Sequence, residues 1–397
     1  MQSNTIINLL RNAEISKFIG LHIDVDAKKL VLDAKKYKDF DIKVIATLIN
    51  VYQKAKSKLP EHYKLKAALN LKSYEQCTSE KVAIFKSSIM GIENKTILNI
   101  TGGIGVDDWA FSKKALQIFS CETDEEIHKL ATYNIELFGL KNVNRILAEG
   151  IEFADKNNNY DIIYADPDRR TNNKKNFRLE DCQPEILKNL DKLLDKAKFL
   201  WIKVSPMADL TYLKRNIKEI KKIYVIALNG ELKEILLCCK KKFENIPEIF
   251  AINIENDKVF EFKNPYQELK NTFCSEGIYL YEPSKSIVKA GLTKQYSSET
   301  NLNLISEKSN LYISNSKLEN FQGKVFKIIS REFYKPLDII SYFKQNHIKS
   351  ANITTRNFYE KAEELWKRYK LKTGGNDYLY FTTDFCNQKL MYHCKKI

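Results

Sequence analysis

The sequence predicts an α/β protein built on a doubly wound, Rossmann-like parallel sheet with an antiparallel last strand. An N-terminal helical region precedes the sheet, and a small C-terminal α/β domain follows it. Three observations carry this. From Thr96 onward, short apolar runs alternate with turns and one-sided helical stretches, the βαβ rhythm of a parallel sheet. In "YVIALNGELKEILLCCK", Asn229-Gly230 separates two β-rich runs, a hairpin signal that makes the last strand antiparallel. Past residue 320 the pattern resumes as strand, helix, strand, helix, strand. The expected divisions are a helical region at 1–92, a Rossmann-like domain at 93–245, a linking region at 246–320 and the small α/β domain at 321–397.

In the first region, "DIKVIATLINVYQKAKSKL" sets Ile42, Ile45, Leu48, Ile49 and Tyr52 on one helical face, and Pro60 ends that helix. "TILNI" is the first strand, followed by the turn "TGGIGVDD" and a helix through "WAFSKKA". "ALQIFSCE" is the second strand. In the helix after it, Thr123 and Glu126 form a Thr-x-x-Glu capping box and Gly139 closes the C-terminus. "NRILAEG", "YDIIYADP", "FLWIKVSP" and "KIYVIALNG" are further strands. In the last domain, Gly374-Gly375 is read as the turn before the final long strand.

The chain has 397 residues, 44% hydrophobic and 29% charged, with no apolar run long enough for a membrane helix. The N-terminus is polar and interrupted, so no secretory signal is expected there. Eight cysteines without paired spacings fit reduced thiols in the cytoplasm, and neither a disulfide framework nor a structural metal is expected. The net charge of +15 favours an anionic partner, nucleic acid first, although lysine-rich and asparagine-rich usage can also reflect base composition of the genome.

Four consecutive strands end in residues that bear chemistry. Thr101, Gly102, Gly103, Gly105 and Asp107 form a turn where a ligand can approach the backbone at a helix N-terminus. Its third position is Asp108 where a dinucleotide fingerprint has glycine, which weakens a pyrophosphate reading. Glu122, seventeen positions after Gly105, can accept ribose hydroxyls. Glu149 can meet an adenine edge, and Asp166 ends the fourth strand. In a doubly wound sheet these ends line one crevice.

Here the residues resemble a class I S-adenosylmethionine-dependent methyltransferase: "ILNITGGIGVD" its first motif, "CETD" its ribose acid, "LAEG" its adenine-side acid and "ADPDRR" its fourth motif. "SYEQCTSEKVAIFK", "WIKVSPMADL", "NGELKEILL", "YEPSKSIVKAGL" and the C-terminal "TTRNF" and "GGNDYLYFTT" extend the resemblance. They are similar to a bacterial family of RNA methyltransferases with a ferredoxin-like insert and a C-terminal THUMP-like domain. The resemblance implies S-adenosyl-L-methionine as cofactor, held by the turn residues with Glu122, Glu149 and Asp166. It also implies RNA as partner, with rRNA and tRNA not distinguished. "LAEG" carries Glu where the superfamily often has Asp.

Asp166, Asp168 and Arg169 are the candidate catalytic residues. Arg169, Arg170, Lys174, Lys175 and Arg178 form a basic loop suited either to phosphate or to solvent, and Arg356 is a further substrate candidate. The C-terminal domain interleaves Lys344, Lys349, Arg356, Lys367, Arg368 and Lys370 with Phe343, Phe358, Trp366 and Tyr369, which suits RNA or simply a small core under a charged surface. Methylation at uridine C5 is disfavoured. It needs a cysteine nucleophile after the fifth strand, where this chain has Ser205, and Cys182 reads as structural. The remaining alternatives are a methyltransferase acting on a small molecule or protein, an RNA-binding protein that keeps cofactor affinity without turnover, and an NAD enzyme.

Overall fold

The computed structural model describes residues 2–397 except 38–39, 157–159, 170–178 and 265–268. The chain divides into two compact units, Met1–Lys221 with Leu236–Ile246, and Lys222–Ile235 with Pro247–Ile397.

The first unit begins with helices: α1 (Ser3–Arg11), α2 (Ala13–His22), α3 (Ala27–Leu32), α4 (Ile42–Lys58), α5 (Pro60–Lys64), α6 (Leu71–Gln76) and α7 (Glu80–Ile89). The expected stripe of α4 is its buried face, including Ile45, Leu48, Ile49 and Tyr52. Pro60 stops α4 and starts α5 from its first position, where a missing N–H costs nothing. Glu80 of α7 reaches back to accept the backbone N–H groups of Glu61 and His62, each at 3.0 Å, and the His62 ring at 2.6 Å. One carboxylate thus closes the α5 N-terminus and pins α5 to α7.

Then follow β1 (Thr96–Asn99), α8 (Val106–Ser112), β2 (Gln117–Glu122), α9 (Glu125–Phe138), β3 (Val143–Leu147), α10 (Gly150–Lys156) and β4 (Tyr160–Ala165). Next come a two-stranded ribbon, β5 (Asp168–Arg169) with β6 (Cys182–Gln183), then α11 (Leu190–Lys196), β7 (Ala197–Val204) and α12 (Leu210–Asn216). The neighbours β2–β3, β1–β2, β1–β4 and β4–β7 are all parallel. β1 and β4 are almost wholly buried, as strands covered on both faces must be. The order β3-β2-β1-β4-β7 reverses direction at β1, so the crevice above β1 and β4 is the topological switch point.

The hairpin is present. β8 (Ile220–Leu228) turns through Asn229 and Gly230, both at positive φ (51° and 74°), into β9 (Glu231–Cys239). A two-residue connection between paired strands makes β9 antiparallel to β8. The capping box expected at Thr123 and Glu126 does not form, and the cap is one residue on. Asp124 caps α9, accepting from Glu126 and Ile127, while the Glu126 carboxylate accepts the Ser3 N–H at 2.6 Å. Gly139 does close α9 in the left-handed conformation.

In the second unit the sheet rhythm does not stop at 245. β10 (Glu248–Glu255) pairs in parallel with β8, and β11 (Lys258–Lys263) returns antiparallel through Asn256-Asp257, both at positive φ. The signal was the short alternating run "KVFEFK" after an Asn-Asp turn.

The rest of this unit comprises β12 (Tyr279–Pro283), α13 (Lys285–Ala290), α14 (Thr293–Thr300), β13 (Asn303–Leu304), β14 (Tyr312–Ser314), β15 (Gly323–Phe333), α15 (Pro336–Gln345), β16 (Ser350–Arg356), α16 (Ala362–Tyr369), β17 (Lys372–Thr383) and β18 (Lys389–Lys396). The seven strands β12–β18 form one sheet in the order β13-β14-β12-β15-β18-β17-β16. The strand–helix–strand–helix–strand expectation corresponds to β15 through β17, and β18 follows. Gly374-Gly375 is not a turn before the last strand. It lies inside β17 at φ 97° and 88°, where the register with β16 jumps from Ala351↔Thr373 to Asn352↔Tyr378. Glycine adopts these φ values without the steric cost a Cβ would add.

Candidate active site

The chemistry sits at the C-terminal ends of β1, β2, β3 and β4. A cleft of about 730 Å³ there is lined by residues 101–107, 122–124, 149–152 and 166–168. Its other wall comprises Lys72, Ser73 and residues 76–78 from the helical region, with Gln183, Pro184, Glu185 and Asn189. All of this lies in the first unit.

The turn after β1 is held by buried polar groups. Asn99 donates to Asp108 at 2.7 Å and accepts the Thr101 N–H at 3.1 Å. The Thr101 hydroxyl accepts the Asp166 N–H at 2.6 Å, tying the end of β1 to the end of β4. Beneath the turn lies Arg145 of β3, its side chain 3% exposed. It donates to Ser120 (2.7 Å), to Asp108 (3.2 Å) and to the Gly103 carbonyl. Burial pushes the Asp108 pKa up against the opposing pull of Arg145, and burial pushes the Arg145 pKa down. Gly102 has no alternative: a Cβ there would stand 2.0 Å from Arg145 Nη1 and 2.4 Å from Ser120 Oγ. At Gly103 (φ 52°) a Cβ would meet nothing within 4 Å, so its absence bares backbone to the cleft. Gly105 (φ 88°) is the residue that turns the chain into α8.

Glu122 organises the same loop from the side. One oxygen accepts the Thr123 and Asp124 N–H groups, each at 2.9 Å, and the other accepts the Gly103 N–H at 2.9 Å. A carboxylate has about four acceptor positions. Three are used, and the Arg145 guanidinium stands 3.9 Å from the second oxygen. Glu149, half-buried, accepts the Glu152 N–H at 2.7 Å and closes the start of α10. Asp107 is tied to the ammonium of Lys86 (2.8 Å), which is wholly buried, and to the Tyr164 hydroxyl (2.9 Å). Asp166 accepts from Lys203 of β7 at 2.5 Å, and Asp168 accepts from Gln76 at 3.4 Å.

The structure therefore brings Thr101, Gly102, Gly103, Gly105, Asp107, Glu122, Glu149, Asp166 and Asp168 to one cleft. Arg169 is placed by its backbone in β5, opposite Cys182. Arg170, Lys174, Lys175 and Arg178 lie outside the described residues. Arg356 belongs to the second unit, where Glu282 binds its guanidinium at 2.6 Å. That carboxylate also holds Lys324 and the Tyr380 hydroxyl, so Arg356 serves an internal ion pair.

Four residues of the site were not singled out from sequence. Lys86 interrupts the apolar stripe of α7, Arg145 the middle of β3, and Lys203 the run "FLWIKV"; a lone cation inside an apolar run was the available signal. Cys77 on the cleft wall carried none. It donates to the Tyr74 carbonyl, and burial raises its pKa to about 11, so it is a thiol at neutral pH. Among the described residues no cluster of three or more metal-ligating side chains occurs, and no helix is long and apolar enough to cross a membrane.

Two segments match family models: residues 279–321 a ferredoxin-like domain and residues 323–396 a THUMP domain-like family. No curated protein matches the chain. A crystal structure described as a "putative methyltransferase from Porphyromonas gingivalis W83" superposes with a TM-score of 0.81 at 24% identity, over 100% of this chain and 99% of that one. A crystal structure described as "a putative methyltransferase from streptococcus mutans in complex with SAH" (18% identity, TM-score 0.31) covers 41% of this chain and 96% of its own. The tRNA (m1A58) methyltransferase from Aquifex aeolicus (16%, TM-score 0.31) covers 42% of this chain and 71% of its own. The fold assignment rests on the first of these. The chain shares the fold of that crystal structure, the α/β architecture expected from sequence, with one segment that matches a ferredoxin-like model and a C-terminal segment that matches a THUMP domain-like model.

Proposed function

We propose that this protein is an S-adenosylmethionine-dependent methyltransferase whose acceptor is RNA. The observation that carries the reading is the convergence of the glycine turn, Glu122, Glu149 and Asp166 on one cleft at the switch point of this fold. The residues present fit the cofactor. Gly103 leaves the space a side chain would fill, and the Glu122 and Glu149 carboxylates line the same cleft. Among its lining carboxylates, Asp107 is paired with Lys86, Asp166 with Lys203 and Glu185 with Lys188. RNA is supported by the THUMP domain-like segment and the overall basic charge.

The bound cofactor would supply an electrophilic methyl group. The residues of this chain align acceptor and methyl and set the charge around them, the main sources of rate in such a displacement. Thr101 fixes the Asp166 backbone and Lys203 fixes its carboxylate, so that side chain is held at the mouth of the cleft without reorganising. Calorimetry tests the cofactor directly: S-adenosylmethionine binds, NAD does not, and Glu122→Ala abolishes binding. Binding of NAD with no binding of S-adenosylmethionine would overturn the reading.

A further inference from the structure

The glycine turn of the cleft is clamped at three places. Asn99 and Thr101 fix its start, and Arg145 lies beneath Gly102 and Gly103. Its far end is held through Asp107, two residues after Gly105, where the left-handed backbone gives way to α8. The first two clamps come from the strands and the turn itself. The third comes from elsewhere in the sequence: the ammonium that binds Asp107 belongs to Lys86 of α7, in the helical region that precedes β1.

Lys86 is wholly buried, and its N–H donors reach three walls of the site. It binds Asp107 at 2.8 Å, donates to the Tyr164 hydroxyl at 2.8 Å and reaches the Thr78 hydroxyl at 3.4 Å. Asp107 and Thr78 line the cleft, and Tyr164 lies on β4 two residues before Asp166. The Tyr164 hydroxyl donates in turn to Asp107 at 2.9 Å, which closes a triangle of bonds around one charge. α6, which brings Lys72, Ser73 and Gln76 to the same cleft, is thereby fastened on its C-terminal side at Thr78. On its N-terminal side, buried Asn134 of α9 accepts the Ala68 N–H at 2.7 Å and donates to the Ala68 carbonyl at 3.1 Å.

Stability alone is a weak reason for such a charge. A buried ion pair gives up the hydration of both partners, and apolar groups of similar volume often serve a fold as well. What the ammonium adds is direction. A methionine could fill the same space without orienting Asp107, Tyr164 or Thr78.

We propose that Lys86 is a positioning residue of the cofactor site, holding the end of the glycine turn, the α6–α7 turn and the end of β4 at the spacing in which S-adenosylmethionine binds. The inference rests on the methyltransferase reading and deepens it, because it makes the helical region part of the cofactor site. Being wholly buried, the ammonium acts through Asp107 and Thr78 rather than on the cofactor.

The test uses the full-length protein and measures the urea midpoint and the S-adenosylmethionine Kd of each variant, the Kd by calorimetry at a temperature where circular dichroism shows it folded. Lys86→Met should raise the Kd about tenfold or more, as loss of a supporting side chain does. Glu80→Gln is the control: it lies on the same helix but bonds to α5, so it should lower the urea midpoint and leave the Kd unchanged. A second pair covers a Lys86→Met protein that does not fold. The carboxamide of Asp107→Asn still accepts from Lys86, so adding Lys86→Met to it should again raise the Kd about tenfold or more. A Kd that stays the same when Lys86 is removed from either folded background overturns the proposal and leaves the methyltransferase reading intact. So does a Glu80→Gln Kd that rises as far as that of Lys86→Met, because the effect is then one of general stability. A wild-type protein that binds no S-adenosylmethionine overturns the reading beneath it.

Discussion

The site depends on a few side chains that hold backbone rather than ligand. Gly102 is the sharpest case, because an added Cβ would stand 2.0 Å from a guanidinium nitrogen and 2.4 Å from a hydroxyl. Gly102→Ala should cost about 1–3 kcal/mol of stability, as overpacking does. It should also weaken cofactor binding at least tenfold, because the loop must shift; calorimetry showing an unchanged Kd would contradict the account. Lys86 is the second. Its ammonium is 0% exposed and Asp107 only 12%, so Lys86→Met strands a carboxylate in poor solvent. The expected loss is about 3–5 kcal/mol in urea unfolding. Adding Asp107→Asn should restore much of it; a double mutant no more stable than the single would contradict the pairing. These residues show where sequence reading reached its limit. Glu122 and Asp166 were legible because each ends an apolar run at the sheet's active edge. Lys86, Arg145 and Lys203 were not, because their partners lie 21 to 78 positions away and a single cation resembles a solvated one.

At the scale of elements, α5 and α7 are joined through Glu80. Burial alone would raise the Glu80 pKa, but the His62 ring and the N–H groups of Glu61 and His62 outweigh it and leave it below the usual 4.5. A carboxylate depressed in the folded state contributes stability above its unfolded pKa and loses it as pH falls through the folded value. Stability should therefore fall below about pH 4.5, and Glu80→Gln should lower stability at neutral pH while flattening that acid limb. An acid limb of the same steepness in the variant would contradict the link. The strands were legible as apolar runs, since both faces of β1 and β4 are covered. The α9 cap was misplaced by one residue, because Thr123 and Asp124 are both good caps and the choice rests on chain direction out of β2. β10 and β11 escaped notice because their pattern is short and their parallel partner, β8, lies before the hairpin. Gly374-Gly375 looked like a turn because a bulge and a turn use the same backbone conformations.

At the scale of the whole molecule, the charge is strongly basic, +15 over 397 residues. The chain is basic, yet its cleft collects carboxylates on the described residues. A basic protein engaging RNA through phosphates should show affinity that falls steeply with salt. Binding of total RNA by the full chain, measured by filter retention, should drop at least tenfold between about 50 and 200 mM salt, while cofactor affinity changes little. Salt-independent retention would argue against phosphate contacts. The most direct test of the central claim is transfer of labelled methyl from S-adenosylmethionine to total RNA from a strain lacking the gene. The account predicts acid-precipitable label that ribonuclease releases and that Glu122→Ala abolishes. Label confined to a protein or metabolite fraction, with none in RNA, would contradict it.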